Sequence, residues 1–283
     1  MIGIGLHIGN RVMGGGGGAP AFVGLLDTYP NAAAAYSVRL LKSDYTGSAI
    51  RVRRSSDNTE QDIGFTALGN LDESSLTSFC SGTNGFVTTW YDQSGNAINA
   101  TQTTALAQPQ IVSAGAIINV NSKPCIQFVS ALLNRLETTL ISSSTEVSII
   151  SVSRHTPTTA YSPIIGVGLN NGYALTTQQN KYNLFYRAIA DQRTTNDALS
   201  TQALIFAYTK SATNQQIFAN DVSYQNFTPA TMNAPTTSSR IGTYDLIQDA
   251  YNGTQQELIV YANSQLSNRS GMQTNINTYY AIY

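Results

Sequence analysis

The stretch "TTWYDQSGNAINATQ", Thr88 to Gln102, holds the chain's only tryptophan, Trp90, beside Tyr91, and then a polar run that suits a catalytic site, a metal loop or a turn. A nucleophile elbow needs Gly-x-Ser-x-Gly between a strand and a helix. Ser94 instead sits in Asp-Gln-Ser-Gly-Asn with no helical pattern after it, and its base would have to be His155, because the only other histidine is His7. Nothing in the sequence supports that pairing. A turn suits these residues better, since Asp bonds the backbone N–H groups ahead of it and Gly or Asn accepts positive φ. Residue preference therefore favours a structural turn built from Asp92, Ser94, Gly95 and Asn96, closing a core strand with Trp90 or Tyr91 packed inside.

On either side of this turn the chain reads as short strands. "GFVTTWY", "KPCIQFV", "EVSIISVSR", "SPIIGVGL", "YNLFYRA", "ALIFAYTK", "QQIFAND", "SSRIGTY" and "QQELIVYA" are rich in β-branched and aromatic residues and bounded by Gly, Pro, Asn or Asp. Many short strands punctuated by turns imply an all-β sandwich or jelly roll. "SVRLL" and "AIRVRRS" flank "KSDYTGS" as an expected hairpin, and "NAAAAYS" suits a helical turn. "NLDESSLTSFCSG" predicts a short helix capped by Asp72 and ended by Gly82, and Leu266, Met272, Ile276 and Tyr280 predict a last helix despite Gly271.

Composition narrows the function classes. Only 11% of the 283 residues are charged and the net charge is −1, which disfavours nucleic acid, whose binding relies on clustered Lys and Arg. Hydrophobic residues at 42% fill a real core. No apolar run approaches a membrane span and the N-terminus lacks the order of a signal peptide, so assembly in a cytosol and no membrane partner are expected. Cys80 and Cys125 are too few for a disulfide framework and have no ligand neighbours at metal spacing. Buried thiols, no metal and no cofactor are expected.

The first residues differ from the rest. In "IGIGLHI" Ile2, Ile4, Leu6 and Ile8 form a row on one face of an extended segment, followed by the spacer Gly14 to Gly18. Residues 1–18 read as an anchor strand and glycine spacer that docks on another protein, and 19–283 as the jelly-roll domain.

Tyr161, Tyr173, Tyr182 and Tyr186 are candidate sugar-stacking residues, although most strand aromatics are core. Asp245 and Asp249 lack the Asp-x-Asp-x-Asp-Gly pattern of a calcium loop. His155, at a strand end, lacks partner ligands.

"SVRLLKSDYTGSAIRVRRSSDNTEQDIGF", "LTSFC" and "FVTTWYDQSGNAINATQ", in that order, resemble the start of the catalytic domain of family 54 α-L-arabinofuranosidases, and "GTQQELIVY" with the closing helix resembles its end. The resemblance runs from about Ala32 to Tyr283, and the Tyr-Asp-Gln-Ser-Gly-Asn run is its specific part. It implies a concanavalin-like, laminin-G-like β-sandwich (jelly roll) with a few short helices. It also implies a glutamate nucleophile on a mid-chain strand, where "NKYNLFYRAIADQ" offers only Asp191, and an acid/base aspartate for which Asp245 is the nearest match. The family's disulfide after "FC" has Gly85 in place of its second cysteine, and the vicinal cysteine pair is absent. These departures give the expectation of a retained fold without enzymatic activity.

Behind a glycine-rich stub and ending in "NRSGMQTNINTYYAIY", the same module is similar to structural proteins of tailed bacteriophages: head fibres, capsid decoration proteins and tail-associated receptor binders. That resemblance implies a virion protein assembled in the host bacterial cytoplasm. Its expected partners are other virion proteins, through residues 1–18, sister copies in a homo-oligomer such as a trimer, and host or mucosal glycans bound weakly by many copies. A glycoside hydrolase using Asp191 and Asp245, and a purely structural decoration protein with no ligand, are the alternatives.

Overall fold

The computed structural model describes residues 22–168, 172–186, 193–228, 231–244 and 249–283. The anchor row Ile2, Ile4, Leu6 and Ile8 therefore lies outside the described residues, as do Asp191 and Asp245. The described chain is an all-β sandwich in which every strand pairing is antiparallel. One layer runs from Val222–Phe227 through Asn214–Ala219, Ala203–Lys210 and Glu146–His155 to Gly253–Tyr261. The far side of Gly253–Tyr261 is shared, its first residues pairing with Ile126–Phe128 and its last with Ala34–Ser37.

The other layer runs from Glu60–Ile63 through Ile50–Arg54, Gly85–Trp90 and Ala100–Thr101 to Leu136–Thr138. It continues through Ser239–Ile241, Ser162–Val167, Tyr173–Gln178 and Lys181–Tyr186 to Arg193–Asp197. The strand Gln110–Ser113 joins the layers, pairing with Gly85–Trp90 on one side and meeting Gln127 on the other.

Side chains alternate across a strand, yet Glu146–His155 is buried on both faces along nearly its whole length, Ile149 and Ile150 alike. One face meets the opposite layer. The helix Arg269–Tyr280 packs on the outer face of this layer, burying Met272, Ile276 and Tyr280. Gly271 sits within that helix because a Cβ there would lie 2.0 Å from the Tyr29 hydroxyl. A bulge opposite Val152 and Ser153 shifts the register in Gly253–Tyr261. The extra residue breaks strict alternation, so Gln255 donates to the Ile164 carbonyl of the opposite layer while Glu257 meets the helix through the Tyr280 hydroxyl.

Beneath that helix lies a buried ion pair. Arg39 grips Glu257 with Nε at 2.7 Å and Nη2 at 3.0 Å, and the Ser37 hydroxyl donates to the same carboxylate. Arg39 also bonds Asn275 and lies against the rings of Tyr279 and Tyr280. Bidentate geometry and these added bonds offset the desolvation of both charges.

Two sequence expectations are corrected. "NAAAAYS" contains the strand Ala34–Ser37 rather than a helical turn, because pairing with Gly253–Tyr261 buries all four residues and overrides alanine's helix propensity. "SVRLL" forms no hairpin with "AIRVRRS": Arg39 makes only an isolated bridge to Asn70, and Ile50–Arg54 pairs with Glu60–Ile63 and Gly85–Trp90. The short helix is present as Glu73–Phe79, with Asp72 accepting from the Ser75 amide and Gly82 at φ +66° beyond its end.

Candidate functional site

Asp92 and Gln93, in the opening stretch, are buried and make hydrogen bonds that brace the fold. Asp92 Oδ1 accepts from the amides of Ala35 and Ser94, and Oδ2 from the Ser94 hydroxyl and the Ile98 amide. Gln93 accepts from the Leu41 amide and donates to the carbonyls of Ser37 and Arg39. Gly95 takes φ +95°, and the Asn96 amide reaches the carbonyls of Ala32 and Ala33. Trp90 is fully buried, while the Tyr91 hydroxyl donates to Asp62 and its pKa is pushed up to about 12 by burial and that carboxylate. Asp92, Gln93 and Asn96 have their hydrogen bonds spent on the fold, which leaves little for a substrate.

A concave surface lies where Phe128 and His155 both register with Gly253, so that three strands end together. The close approach requires glycine, since a Cβ on Gly253 would lie 2.2 Å from the Arg154 carbonyl. The Thr156 amide then donates to the Asn252 carbonyl, extending the ladder by one bond. Past this end opens a cleft of about 290 Å³ lined by Gln127, Arg154, His155, Thr156, Ser200 and Asn252, among others. Asn252 is also a wall of an adjoining cleft of about 240 Å³ lined by Tyr161 and Thr158.

Arg154 is exposed and its Nε donates to the Ser200 carbonyl at 3.2 Å. His155, next to it, is buried with its ring edge-on to Tyr182 at 6.3 Å, and neither imidazole nitrogen has a hydrogen-bond partner among the described residues. Burial lowers its pKa, opposed by the nearby Leu199 backbone, which lies outside good hydrogen-bond geometry. The imidazole is therefore neutral near pH 7, and Arg154 supplies the cleft's charge.

Of the proposed stacking residues, Tyr161 is half-buried in the second cleft. Tyr173 and Tyr182 are buried rings of the core, the latter accepting from the Leu199 amide through its hydroxyl. The side chain of Tyr186 lies outside the described residues. Among the described residues no Asp or Glu lines either cleft. Asp92 is spent on its turn, Asp72 on its helix, Asp62 on Arg51, Glu137 on Arg135, Asp197 on Lys181 and Glu257 on Arg39. No group of three or more potential metal ligands occurs among the described residues.

Residues 26–125 match the family model described as "Alpha-L-arabinofuranosidase B, catalytic". Over 74 residues the chain is 40% identical to a probable α-L-arabinofuranosidase B of Aspergillus flavus and 39% identical to an α-L-arabinofuranosidase B of Aspergillus niger. Those segments are 26% of this chain and only 15% of each relative. A solved GH54 a-l-arabinofuranosidase soaked with a cyclic sulfate inhibitor superposes with TM-score 0.67 at 17% identity, over 87% of this chain and 62% of that one. The fold is therefore similar to that of the GH54 arabinofuranosidase. An arabinofuranosidase complexed with arabinofuranosyl-alpha-1,2-xylobiose gives TM-score 0.60 at 15% identity over the same shares.

These findings correct the expectation of a retained fold without enzymatic activity. That expectation rested on the missing cysteines, on Asp245 as the nearest acid/base match, and on the lack of a glutamate in "NKYNLFYRAIADQ", part of which, like Asp245, lies outside the described residues. The match of residues 26–125 to a catalytic family model, and the 40% identity over 74 residues to a probable α-L-arabinofuranosidase B, overturn its second half, while the shared fold bears out the first.

Arg154, Gln127 and Asn252 carried no signal in the sequence, since no spacing relates them and strand pairing alone brings them together. His155 was legible only as a lone histidine at a strand end.

Proposed function

We propose that the chain is a glycoside hydrolase of arabinofuranosidase type that removes arabinofuranosyl groups from a polysaccharide. The match of residues 26–125 to the catalytic family model carries this reading. The reaction needs two carboxyl groups, about 5–5.5 Å apart for retention or roughly 6.5–9.5 Å for inversion. Asp191 and Asp245 are the proposed pair, because they are the carboxylates nearest to where the resemblance puts the nucleophile and the acid/base, and the described clefts offer no carboxylate of their own. The amide of Asn252 and the ring of Tyr161 would hold the sugar, one by hydrogen bonds to hydroxyls and the other by stacking.

The test is release of p-nitrophenol from the α-L-arabinofuranoside and of arabinose from arabinan and arabinoxylan. D191N and D245N should each lower kcat by about 10²–10⁴-fold. Failure of the wild-type chain to release arabinose from any of these substrates refutes the reading, and so does a pair of carboxyl groups well beyond about 10 Å apart.

A second reading concerns where the domain works. The apolar row Ile2, Ile4, Leu6 and Ile8 and the glycine spacer favour a tether, so we propose display on a bacteriophage particle, anchored through residues 1–18. Deleting those residues should leave a folded domain that no longer incorporates into particles. Normal incorporation would remove the anchor.

A further inference from the structure

The arginines whose side chains are described are almost all neutralised. Arg39, Arg51, Arg54, Arg135, Arg240 and Arg269 each pair with a carboxylate. Arg53 bonds Gln108 and Asn58 and lies over the Phe86 ring. Arg154 differs. Among the described residues its one hydrogen-bond partner is a backbone carbonyl, which fixes Nε and leaves both terminal nitrogens of the fork unspent.

It stands at the mouth of a cleft without a described carboxylate, beside His155, which burial keeps uncharged. Two further groups facing the cleft are uncommitted. The side-chain amides of Gln127 and Asn252 are half-exposed and make no hydrogen bond among the described residues, although the Asn252 backbone is tied to Ser162 and Thr156. A fixed guanidinium fork flanked by two free amides matches a carboxylate on a ring that also bears hydroxyls.

We propose that this cleft is a subsite for a uronic acid residue, with Arg154 receiving the sugar carboxylate and Gln127 and Asn252 its hydroxyls. The inference rests on the hydrolase reading for its setting and extends it. The polysaccharide would be acidic, and Asn252, shared by both clefts, would join the uronate position to the neighbouring position at Tyr161.

Binding can be read without cleavage, by calorimetry with the full chain. The ligands are an oligogalacturonide and a neutral arabino-oligosaccharide of equal length, with a sulfated oligosaccharide as polyanion control. The oligogalacturonide should bind about tenfold more tightly than the neutral ligand, as a hydrogen-bonded ion pair of this kind provides. R154A should bring the two affinities together, and R154K should restore part of the difference, because lysine keeps the charge and loses the fork. A melting temperature for R154A equal to wild type controls for folding. Equal binding of acidic and neutral ligands, no binding of either, unchanged preference in R154A, or equal preference for the sulfated ligand each overturns the proposal. If arabinofuranoside hydrolysis fails while the uronate preference holds, the subsite stands and the hydrolase reading falls.

Discussion

Cys80 is poised to form a disulfide that the chain lacks. A Cβ built on Gly85 lies 2.7 Å from Cys80 Sγ, and a disulfide with an S–S length of about 2.05 Å places each Cβ roughly 3 Å from its partner's sulfur. Gly85 is the first residue of a strand, so G85C asks nothing unusual of the backbone. Oxidation would close a loop of about six residues, which by loop entropy is worth about 2 kcal/mol, or about 4–8 °C in Tm for a domain of this size. That gain separates the oxidised from the reduced variant, because in both forms the new Cβ meets Val112 and Val52 at 3.1 Å and overpacking costs about 1–3 kcal/mol, so the reduced variant should melt below wild type. Melting with and without reductant, and a thiol count in denaturant, test both halves. Wild type has two free cysteines, so the oxidised variant should show one thiol and the reduced variant three. Three thiols under oxidising conditions, or a Tm indifferent to reductant, would refute the placement of Cys80 Sγ against position 85.

Three further perturbations separate structural from functional polar groups. R39A leaves Glu257 buried without its cation and should cost about 3–5 kcal/mol in urea denaturation; a loss under 1 kcal/mol would count against the buried pair. D92A strips partners from the Ala35 and Ile98 amides, each worth about 1–3 kcal/mol when left buried and unpaired, and a variant as stable as wild type would mean the turn holds without them. His155 predicts a pH dependence: because burial lowers its pKa in the folded state, the unfolded chain takes up that proton first. Stability from this group should be full above about pH 6.5 and decline as the pH falls toward the lowered folded value. H155F should flatten the slope between pH 5 and 7, and an identical slope in wild type and variant would assign it elsewhere. Asp57, Asp62 and Asp72, held low by their partners, contribute losses only below about pH 4.

The sequence made the strand class legible because turn residues bound nearly every apolar run, and it made both longer helices legible through Asp72 and the spacing of Met272, Ile276 and Tyr280. It misled at "NAAAAYS", where local propensity was overruled by a partner strand more than two hundred residues away. Arg39 with Glu257 was invisible for the same reason, since no local pattern announces a pair separated by 218 positions. The cleft was harder still. Arg154, Gln127 and Asn252 come from three strand ends and gain meaning only from register, and Tyr173 and Tyr182 belong to the same residue class as Tyr161 while packing in the core.

The shared strand Gly253–Tyr261 also sets the order in which the molecule can be made. Ala34–Ser37, Ile126–Phe128 and Glu146–His155 all wait for it, so a nascent chain emerges as far as Gly253 with those edges unpaired. At about 5–20 residues per second of synthesis, that exposure lasts many seconds. Such long-range pairing is slow to form and open to aggregation. Its late closure makes the ribosome-bound chain, rather than the finished domain, the stage at which a chaperone would act on this protein.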